Sequence, residues 1–286
     1  MADYFTEAHS AEVVNGRMGH TVNPRLGLVM SSLVKHLHAF AKDVGLTQKE
    51  WELAIDFLTR TGQLCDDERQ EFILLSDTLG LSMLVDAINN RRPEGATENT
   101  VLGPFHVAGA PLRSMGDNIS LDGKGETCLF RGRVVDLDGT PIEGARIDVW
   151  SDNPDGYYDV QQPGIQPKWN NRGLFVTGAD GRYWFIGIKP VAYPIPDDGP
   201  VGQMLHNLGR HPYRPAHTHF LVTADGYQTL VTHTFVGDDP YLTSDAVFGV
   251  KNSLIAPFIR VDAETVWRSD FDFVLTPIAR AGTAAG

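Results

Sequence analysis

Apolar side chains in the first part of the chain recur at the spacing of one helix face. Within residues 24–44 they lie at Leu26, Val29, Met30, Leu33, Leu37, Phe40 and Val44. Intervals of three and four residues place them on one side of an α-helix. After Gly45, Thr47 and Glu50 have the spacing of a capping box, which predicts the start of a second helix. Two more helical segments are predicted, one beginning at residues 66–68 and one spanning residues 79–88.

The pattern changes near residue 100, where glycine and proline become frequent and the apolar runs become short. Six such runs predict strands, at residues 129–136, 145–151, 182–188, 217–223, 230–236 and 269–275. Asp-Gly pairs that begin at residues 138, 180 and 225 mark turns between them. Short strands joined by tight turns predict an antiparallel β-sandwich. The predicted fold is mainly β with α: an all-helical domain over residues 1–100, followed by a β-sandwich domain over residues 101–286.

Charge and cysteine content narrow the classes of function. The 286 residues carry 36 acidic side chains against 24 lysines and arginines, a formal charge of −12. Binding to nucleic acid or anionic lipid is disfavoured, because it needs clustered positive charge. The two cysteines, Cys65 and Cys128, cannot form a disulfide framework and fit a reducing cytoplasm. The apolar runs are shorter than the ~18 residues of a spanning helix, and the first residues show no secretory pattern. We therefore expect a cytoplasmic protein outside the membrane.

A pair of histidines stands out at His217 and His219, in the segment Arg-Pro-Ala-His-Thr-His. Side chains two residues apart on a strand share a face, about 6–7 Å apart, so both imidazoles can bind one metal ion. The alternative is a pair of surface or hydrogen-bonded histidines. The chain has no His-Glu-x-x-His motif, so a zinc protease loses support.

Tyrosines upstream of this pair change its interpretation. Tyr157 and Tyr158 follow an Asp-Gly turn, and Tyr193 lies between prolines. A tyrosine in such a setting is typical of packing or of a turn hydrogen bond. Together with His217 and His219, however, two phenolates would supply hard anionic donors and favour Fe(III) over Fe(II).

With these motifs the sequence resembles the intradiol ring-cleaving dioxygenases, the non-haem Fe(III) catechol 1,2-dioxygenase group. The resemblance covers nearly the whole chain, including its helical N-terminal part. The matching stretches are residues 102–105, 149–150 with 156–158, 188–190 with Tyr193, 209–211 leading into 214–219, 224–226 and 237–241. It implies a β-sandwich catalytic domain with one Fe(III) per subunit and O2 as co-substrate.

The resemblance also implies roles for individual residues. Tyr158 and His217 would be equatorial ligands of the iron, and Tyr193 and His219 would be axial. Tyr158 takes the role in place of Tyr157 because the family places its ligand two residues after the glycine. Tyr193 would accept a proton from the substrate, and the charge of Arg214 would stabilise the electron-rich intermediate. A surface ion pair is the alternative for Arg214.

One position departs from the family pattern. Many catechol 1,2-dioxygenases have a glutamine fourteen residues after the second histidine, where this chain has His233. A histidine can still form hydrogen bonds, but it adds a group that titrates near neutral pH. His233 is therefore a candidate catalytic residue, with a packed strand histidine as the alternative.

Within the family the sequence is most similar to the hydroxyquinol 1,2-dioxygenase branch. The resemblance places around the substrate Leu74, Asp77, Val101, Leu102, Gly103, Pro104, Phe105, Ile195, Pro196, Arg214 and Val247. Asp77 can accept a hydrogen bond from a third ring hydroxyl, which catechol lacks; its alternative role is that of a helix N-cap. The expected substrate is benzene-1,2,4-triol, and the expected product is 3-hydroxy-cis,cis-muconate or its keto form maleylacetate.

Other interpretations stay open at this stage. The same chemistry on catechol or a chlorocatechol is the nearest, followed by a divalent-metal hydrolase that uses His217 and His219, and by a non-catalytic β-sandwich binding module. The resemblance further implies a homodimer formed through the helical domain, with a phospholipid in an apolar tunnel at the interface. The apolar stripes alone do not distinguish a dimer interface from an intrachain core.

Overall fold

The computed structural model describes residues 4–18, 22–67, 69–261 and 267–278. The chain forms two compact units, Met1–Gln63 and Leu64–Gly286. Helical segments occur in both units, since the last helix before the sheets ends at Asn89. The domain boundary at residue 100 stays a prediction.

The described residues of the first unit form three helices, α1 (Ser10–Gly16), α2 (Pro24–Asp43) and α3 (Gln48–Gln63). The side chain of Asn23 caps α2 by accepting a hydrogen bond from the Leu26 amide at 3.1 Å. The predicted capping box is confirmed: the Thr47 amide donates to Glu50 at 2.9 Å, and the Glu50 amide donates to Thr47 Oγ1 at 3.3 Å. None of the α2 side chains is buried, so its apolar stripe is exposed in the single chain.

The second unit begins with two short helices, α4 (Glu71–Thr78) and α5 (Leu81–Asn89), and has a later one, α6 (Pro200–Asn207). The predicted helix start at residues 66–68 is wrong, and Glu68 lies outside the described residues. The Asp66 carboxylate accepts a hydrogen bond from the Arg69 amide at 2.6 Å, which closes a turn in place of a first helical turn. No helix was predicted from the sequence at α6.

The described residues form twelve strands. They are β1 Thr127–Val135, β2 Arg146–Trp150, β3 Arg172–Val176, β4 Arg182–Ile188, β5 Tyr193–Pro194, β6 Tyr213–Arg214, β7 His217–Thr223, β8 Leu230–Val236, β9 Ile255–Ala256, β10 Phe258–Arg260, β11 Trp267–Asp270 and β12 Phe273–Val274. The strands predicted at 182–188, 217–223 and 230–236 have the predicted bounds. The run at 269–275 is broken because the Phe271 carbonyl crosses directly over Gly132, in the space that a side chain would need.

Two five-stranded sheets confirm the predicted sandwich. One has the order β10-β11-β1-β12 with β4 also on β1, and the other has the order β3-β2-β7-β8-β9. Between them lies one apolar cluster, which includes Cys128, Phe130, Val134, Ile147, Val149, Phe175, Phe185, Phe220, Val222 and Phe273. The pairing is not purely antiparallel, since β1 pairs with β11 and β12, and β8 with β9, in parallel.

Strand register brings the aromatic and imidazole side chains to one end of the sandwich. In the second sheet His219 lies opposite His233 on β8 and opposite Trp150 on β2. A separate two-stranded ribbon pairs Tyr193 on β5 with Arg214 on β6. Directly opposed residues have their side chains on the same face of a sheet, so these pairs are in reach of one another.

Candidate metal centre

The two histidines of the His-x-His segment are buried and point their Nε2 atoms at each other. These two atoms are 3.1 Å apart, and both residues lie on β7. The Nδ1–H of His217 donates to the Pro215 carbonyl at 2.7 Å, so its Nε2 carries the lone pair. This tautomer is the one that can bind a cation at the side where the other donors lie.

Two buried tyrosines complete the cluster. The hydroxyl of Tyr158 lies 3.5 Å from the hydroxyl of Tyr193, which in turn lies 3.5 Å from His217 Nε2. Gly156 permits this approach, because a Cβ there would lie 3.0 Å from the Tyr193 Cβ, and its φ of 81° suits glycine. Tyr157 is 45% exposed. The structure therefore brings Tyr158 into the cluster and points Tyr157 toward solvent.

Buried polar contacts anchor the loop that carries Tyr158. The carboxylate of Asp159 accepts hydrogen bonds from Arg172 Nε at 2.6 Å and from the Trp169 amide at 2.9 Å. The Tyr158 amide donates to the Gln161 side chain at 2.9 Å. Such bonds limit the movement of the tyrosine in its loop.

Aromatic rings stack on two of the proposed ligands. Trp150 stacks on His219 with ring centroids 4.8 Å apart, and Phe105 stacks on Tyr158 at 4.6 Å. Gly103 passes so close that a Cβ would lie 2.9 Å from His219 Cε1. Gly103 and Phe105, predicted to line the substrate site, also pack against the proposed ligands. Trp150 lies in one of the matching stretches, but no role was predicted for it.

His233 is the third imidazole of the cluster. Its ring centroid is 4.1 Å from that of His219 and 4.9 Å from that of His217. Its Nδ1 is 2.7 Å from Thr100 Oγ1, whereas its Nε2 is buried without a hydrogen-bond partner. Ligand atoms of the three histidines all lie within 4.8 Å of one another. His233 thus faces the cluster, and its catalytic role stays a prediction.

Burial sets the protonation of these groups. It lowers the pKa of His217 to about 3, with the nearby charge of Arg214 as a second cause. Burial likewise lowers the pKa of His219 and of His233 well below the usual value. All three imidazoles are therefore neutral at neutral pH and have a lone pair available for a cation.

Burial shifts the pKa of the two phenols in the opposite direction. Burial raises the pKa of Tyr158 well above its usual value, and it raises the pKa of Tyr193 despite the opposing charge of Arg214. Without a cation both are neutral, and a bound cation would stabilise their phenolate forms. Two phenol oxygens and two neutral imidazoles in one buried cluster fit a metal ion, so this part of the chain can hold one.

The buried guanidinium of Arg214 lies beside the donors. Arg214 Nη1 is 3.2 Å from His217 Nε2, and Arg214 Nε is 3.2 Å from Asp245 Oδ1. Burial works against the charge of the guanidinium, but Asp245 and the tyrosine oxygens outweigh it and raise the pKa of Arg214. The alternative of a surface ion pair is wrong, because both partners are buried. Asp245 was missed, since nothing in its local sequence marks it.

The residues predicted around the substrate fall into two groups. Leu74, Ile195 and Val247 share one apolar cluster with Leu205 and Ala246. Leu102, Pro104 and Pro196 are exposed and Val101 is half-buried; their contact with a substrate stays a prediction.

Asp77 lies near the end of α4, and the helix that follows has Gly80 at its N-cap, so the N-cap alternative is wrong. Burial raises the pKa of Asp77, while Ser82 and the charge of Arg214 oppose that shift. Asp77 therefore lies within electrostatic range of Arg214.

Family models match both parts of the chain. A family model described as "Catechol dioxygenase N terminus" matches residues 23–97, and one described as "Dioxygenase" matches residues 101–277. Together these matches span most of the chain, and their division falls where the sequence changes from helical to strand patterning.

Individual relatives are similar over nearly their whole length. A hydroxyquinol 1,2-dioxygenase of Rhizobium sp. (strain MTP-10005) is 59% identical, covering 95% of this chain and 96% of the relative. A 6-chlorohydroxyquinol 1,2-dioxygenase of Cupriavidus pinatubonensis is 52% identical, with 96% and 98% covered. The solved structure of a hydroxyquinol 1,2-dioxygenase from Pseudomonas putida DLL-E4 has a TM-score of 0.92 at 47% identity, covering 95% of this chain and 99% of that one.

Proposed function

The chain belongs to the intradiol ring-cleavage dioxygenase family, and we propose that it cleaves benzene-1,2,4-triol (hydroxyquinol) with O2 between adjacent hydroxyl-bearing carbons. The product is 3-hydroxy-cis,cis-muconate or its keto form maleylacetate. The observation that carries the proposal is the convergence of the Tyr158, Tyr193, His217 and His219 donor atoms in one buried cluster. Relatives named for action on hydroxyquinol and 6-chlorohydroxyquinol support the choice of substrate.

The proposed cofactor is one Fe(III) per subunit, held by these four side chains. When bound, ferric iron supplies the Lewis acidity that binds a deprotonated diol and the redox capacity that lets the ring react with O2. Two phenolates neutralise two of its charges, which favours the ferric over the ferrous state.

The chain's own residues handle protons and charge. Tyr193 accepts a proton from a substrate hydroxyl, and Arg214 beside it stabilises negative charge that builds up on the ring. This neighbourhood is built into the fold, because Tyr193 and Arg214 are paired across β5 and β6.

Asp77 is the proposed determinant of the substrate. Its carboxylate is half-buried and within electrostatic range of Arg214. It can accept a hydrogen bond from the third hydroxyl of hydroxyquinol, whereas catechol leaves this acceptor unpaired.

The test combines metal analysis, a visible spectrum and oxygen uptake on purified protein. We expect about one iron per chain, a red-brown colour from phenolate-to-iron charge transfer, and faster turnover of hydroxyquinol than of catechol or chlorocatechols. Tyr158→Phe should weaken and shift the charge-transfer band, because one of the two phenolates is removed, and Tyr157→Phe, the matched control, should keep the wild-type spectrum. A colourless zinc protein with hydrolase activity would contradict the proposal, and faster turnover of catechol would contradict the substrate.

The apolar face of α2 supports a homodimer with a phospholipid at its interface. Leu26, Leu37 and Phe40 are each more than half exposed in the single chain. A soluble protein gains stability by covering such a stripe, with a second copy or with lipid tails. Light scattering gives the subunit number, and mass spectrometry of a solvent extract detects the lipid.

A cytoplasmic location is proposed from the cysteines. The chain has only two cysteines, Cys65 and Cys128, too few for a disulfide framework, as suits a reducing compartment. Among the described residues, no helix combines the length and apolar character that crossing a membrane requires. Cell fractionation followed by immunoblotting tests the location.

A further inference from the structure

Asp245 lies in the segment that follows β8, and none of the roles proposed above belongs to it. Only 2% of its side chain is exposed. Four donors surround its carboxylate. They are Arg214 Nε at 3.2 Å, Arg214 Nη2 at 3.4 Å, the Val247 amide at 3.2 Å and the Gly249 amide at 2.8 Å.

This arrangement fixes the direction of the guanidinium. Two of the Arg214 nitrogens face Asp245, and the third, Nη1, faces His217 Nε2 at 3.2 Å. A planar guanidinium held on one edge by a carboxylate cannot rotate freely, so its other edge keeps one orientation. Asp245 thereby determines where positive charge is presented to the cluster.

The same carboxylate also fixes the segment that carries Val247, a member of the apolar cluster with Leu74 and Ile195. By binding the amides of Val247 and Gly249 it fixes the turn between them, in which Phe248 has a left-handed φ of 59°. Phe248 packs on Gly80, whose added Cβ would lie 3.4 Å from its ring, and Arg210 lies over that ring at 4.9 Å. A non-glycine residue keeps such a backbone only where its surroundings determine it.

Space around the pair is tight. A Cβ added to Gly249 would lie 2.9 Å from Arg214 Nη2 and 3.1 Å from Asp245 Oδ2. An alanine at this position would displace the ion pair while leaving both of its charges present. The φ of Gly249 is not left-handed, so this substitution brings no backbone strain of that kind.

We propose that Asp245 is a positioning residue that acts through Arg214: it holds the guanidinium toward the reacting ring, and it fixes the segment that carries Val247. The inference rests on the proposed function, because the ring is that of the aromatic diol or triol. Arg214 supplies the charge, and Asp245 supplies its orientation. The effect belongs to the chemical step, since charge on the ring increases after the substrate is bound.

The test measures kcat, KM, iron content and the visible spectrum for Asp245→Asn, Gly249→Ala, Arg214→Gln and the combination of Asp245→Asn with Arg214→Gln. We expect kcat on hydroxyquinol to fall by about tenfold to a hundredfold in the first two variants, with KM changed less than about threefold. Iron per chain should stay at the wild-type value. The combined variant should match Arg214→Gln within about twofold, because Asp245 acts through that residue.

Asp136→Asn is the matched control. Asp136 also accepts two backbone amides, those of Asp138 and Thr140, but it holds a remote turn. It should keep the wild-type kcat. If Asp245→Asn does not fold, Gly249→Ala takes its place, because this substitution disturbs the ion pair without removing a charge. It is then measured alone and in combination with Arg214→Gln.

Three outcomes overturn the inference. They are a kcat within twofold of wild type in both Asp245→Asn and Gly249→Ala, a further tenfold loss when Asp245→Asn is added to Arg214→Gln, and a loss of iron that accounts for the loss of activity. A wild-type protein without turnover of any diol is a different result and overturns the proposed function. In that case, anaerobic titration with 4-nitrocatechol shows whether Asp245→Asn changes the visible spectrum of the protein with this diol bound.

Discussion

At the scale of single residues, the site depends on which of two adjacent tyrosines is buried. Tyr157 and Tyr158 are adjacent, yet only Tyr158 is fully buried with its hydroxyl near Tyr193. Burial also decides protonation, because it keeps the imidazoles neutral and the phenols protonated until a cation is bound. The chemistry of each donor is therefore a property of its position.

Asp77 provides a prediction about substrate choice. Replacing it with alanine removes the acceptor for the third hydroxyl, and a hydrogen bond to a charged group contributes about 1.5–3 kcal/mol. We expect kcat/KM for hydroxyquinol to fall roughly tenfold to a hundredfold, with catechol changed less than about threefold. Steady-state kinetics on both substrates checks this. Equal losses on the two substrates would show that Asp77 has no part in the choice.

Gly103 provides a prediction about packing against His219. Gly103→Ala places a methyl group 2.9 Å from His219 Cε1, at a residue with φ of 77°. Gly139→Ala is the matched control, since Gly139 has φ of 80° and nothing within 4 Å of the added methyl group. Both variants should lose about 1–2 kcal/mol of unfolding free energy through backbone strain.

Only Gly103→Ala should also lower the iron content and shift the charge-transfer band. Denaturant unfolding, metal analysis and a visible spectrum separate the two effects. An unchanged spectrum in Gly103→Ala would mean that His219 moves aside without cost to the site.

At the scale of elements, strand register assembles the site. The β7–β8 pair puts His219 opposite His233, and the β2–β7 pair puts it opposite Trp150. A register shift of one residue would turn both histidines of β7 to the other face of the sheet. The loop that carries Tyr158 and the strand that carries Arg214 are each anchored by a buried ion pair.

Helix α2 gives the prediction about assembly. Replacing Leu37 and Phe40 with aspartate places charges in its exposed apolar stripe, which should convert the proposed dimer into monomers. Lys35→Glu is the control, because Lys35 lies on the other side of the same helix and also adds negative charge. Light scattering measures the mass. A monomeric wild type would exclude the interface. A dimer that persists in the double variant would place the interface elsewhere.

At the scale of the whole molecule, a metal ion would tie the folded second unit together. Its proposed ligands come from separate segments of the chain, Tyr158 and Tyr193 in loops or short strands and His217 and His219 on β7. Such a site exists only in the folded state, so binding adds to the free energy of unfolding.

Removal of the metal should therefore lower the melting temperature. At a free metal concentration a hundredfold above Kd the contribution is about 2.7 kcal/mol, or roughly 5–10 °C for a protein of this size. Calorimetry with and without a chelator measures the shift. The variant with His217→Ala and His219→Ala should melt at the same temperature in both conditions; a chelator effect in that variant would indicate a different binding site.

The sequence by itself determined the type of each half and most of the donor set. Helical periodicity in the first part, short strands in the second and the His-x-His spacing are local properties, and local patterns are readable from the chain. The strands that carry His217, His219 and His233 were predicted with their observed bounds. The resemblance supplied Tyr158, Tyr193 and Arg214 from motifs that also lie within short segments.

Only the tertiary structure decided which distant residues share the site. Asp245 is buried against Arg214, Trp150 stacks on His219, and Thr100 bonds to His233, although no sequence pattern links these pairs. Such contacts depend on strand register and on how loops close over the sheet, which is a property of the whole packed chain. For the same reason the broken strand at residues 269–275 followed from the close approach of Phe271 to Gly132.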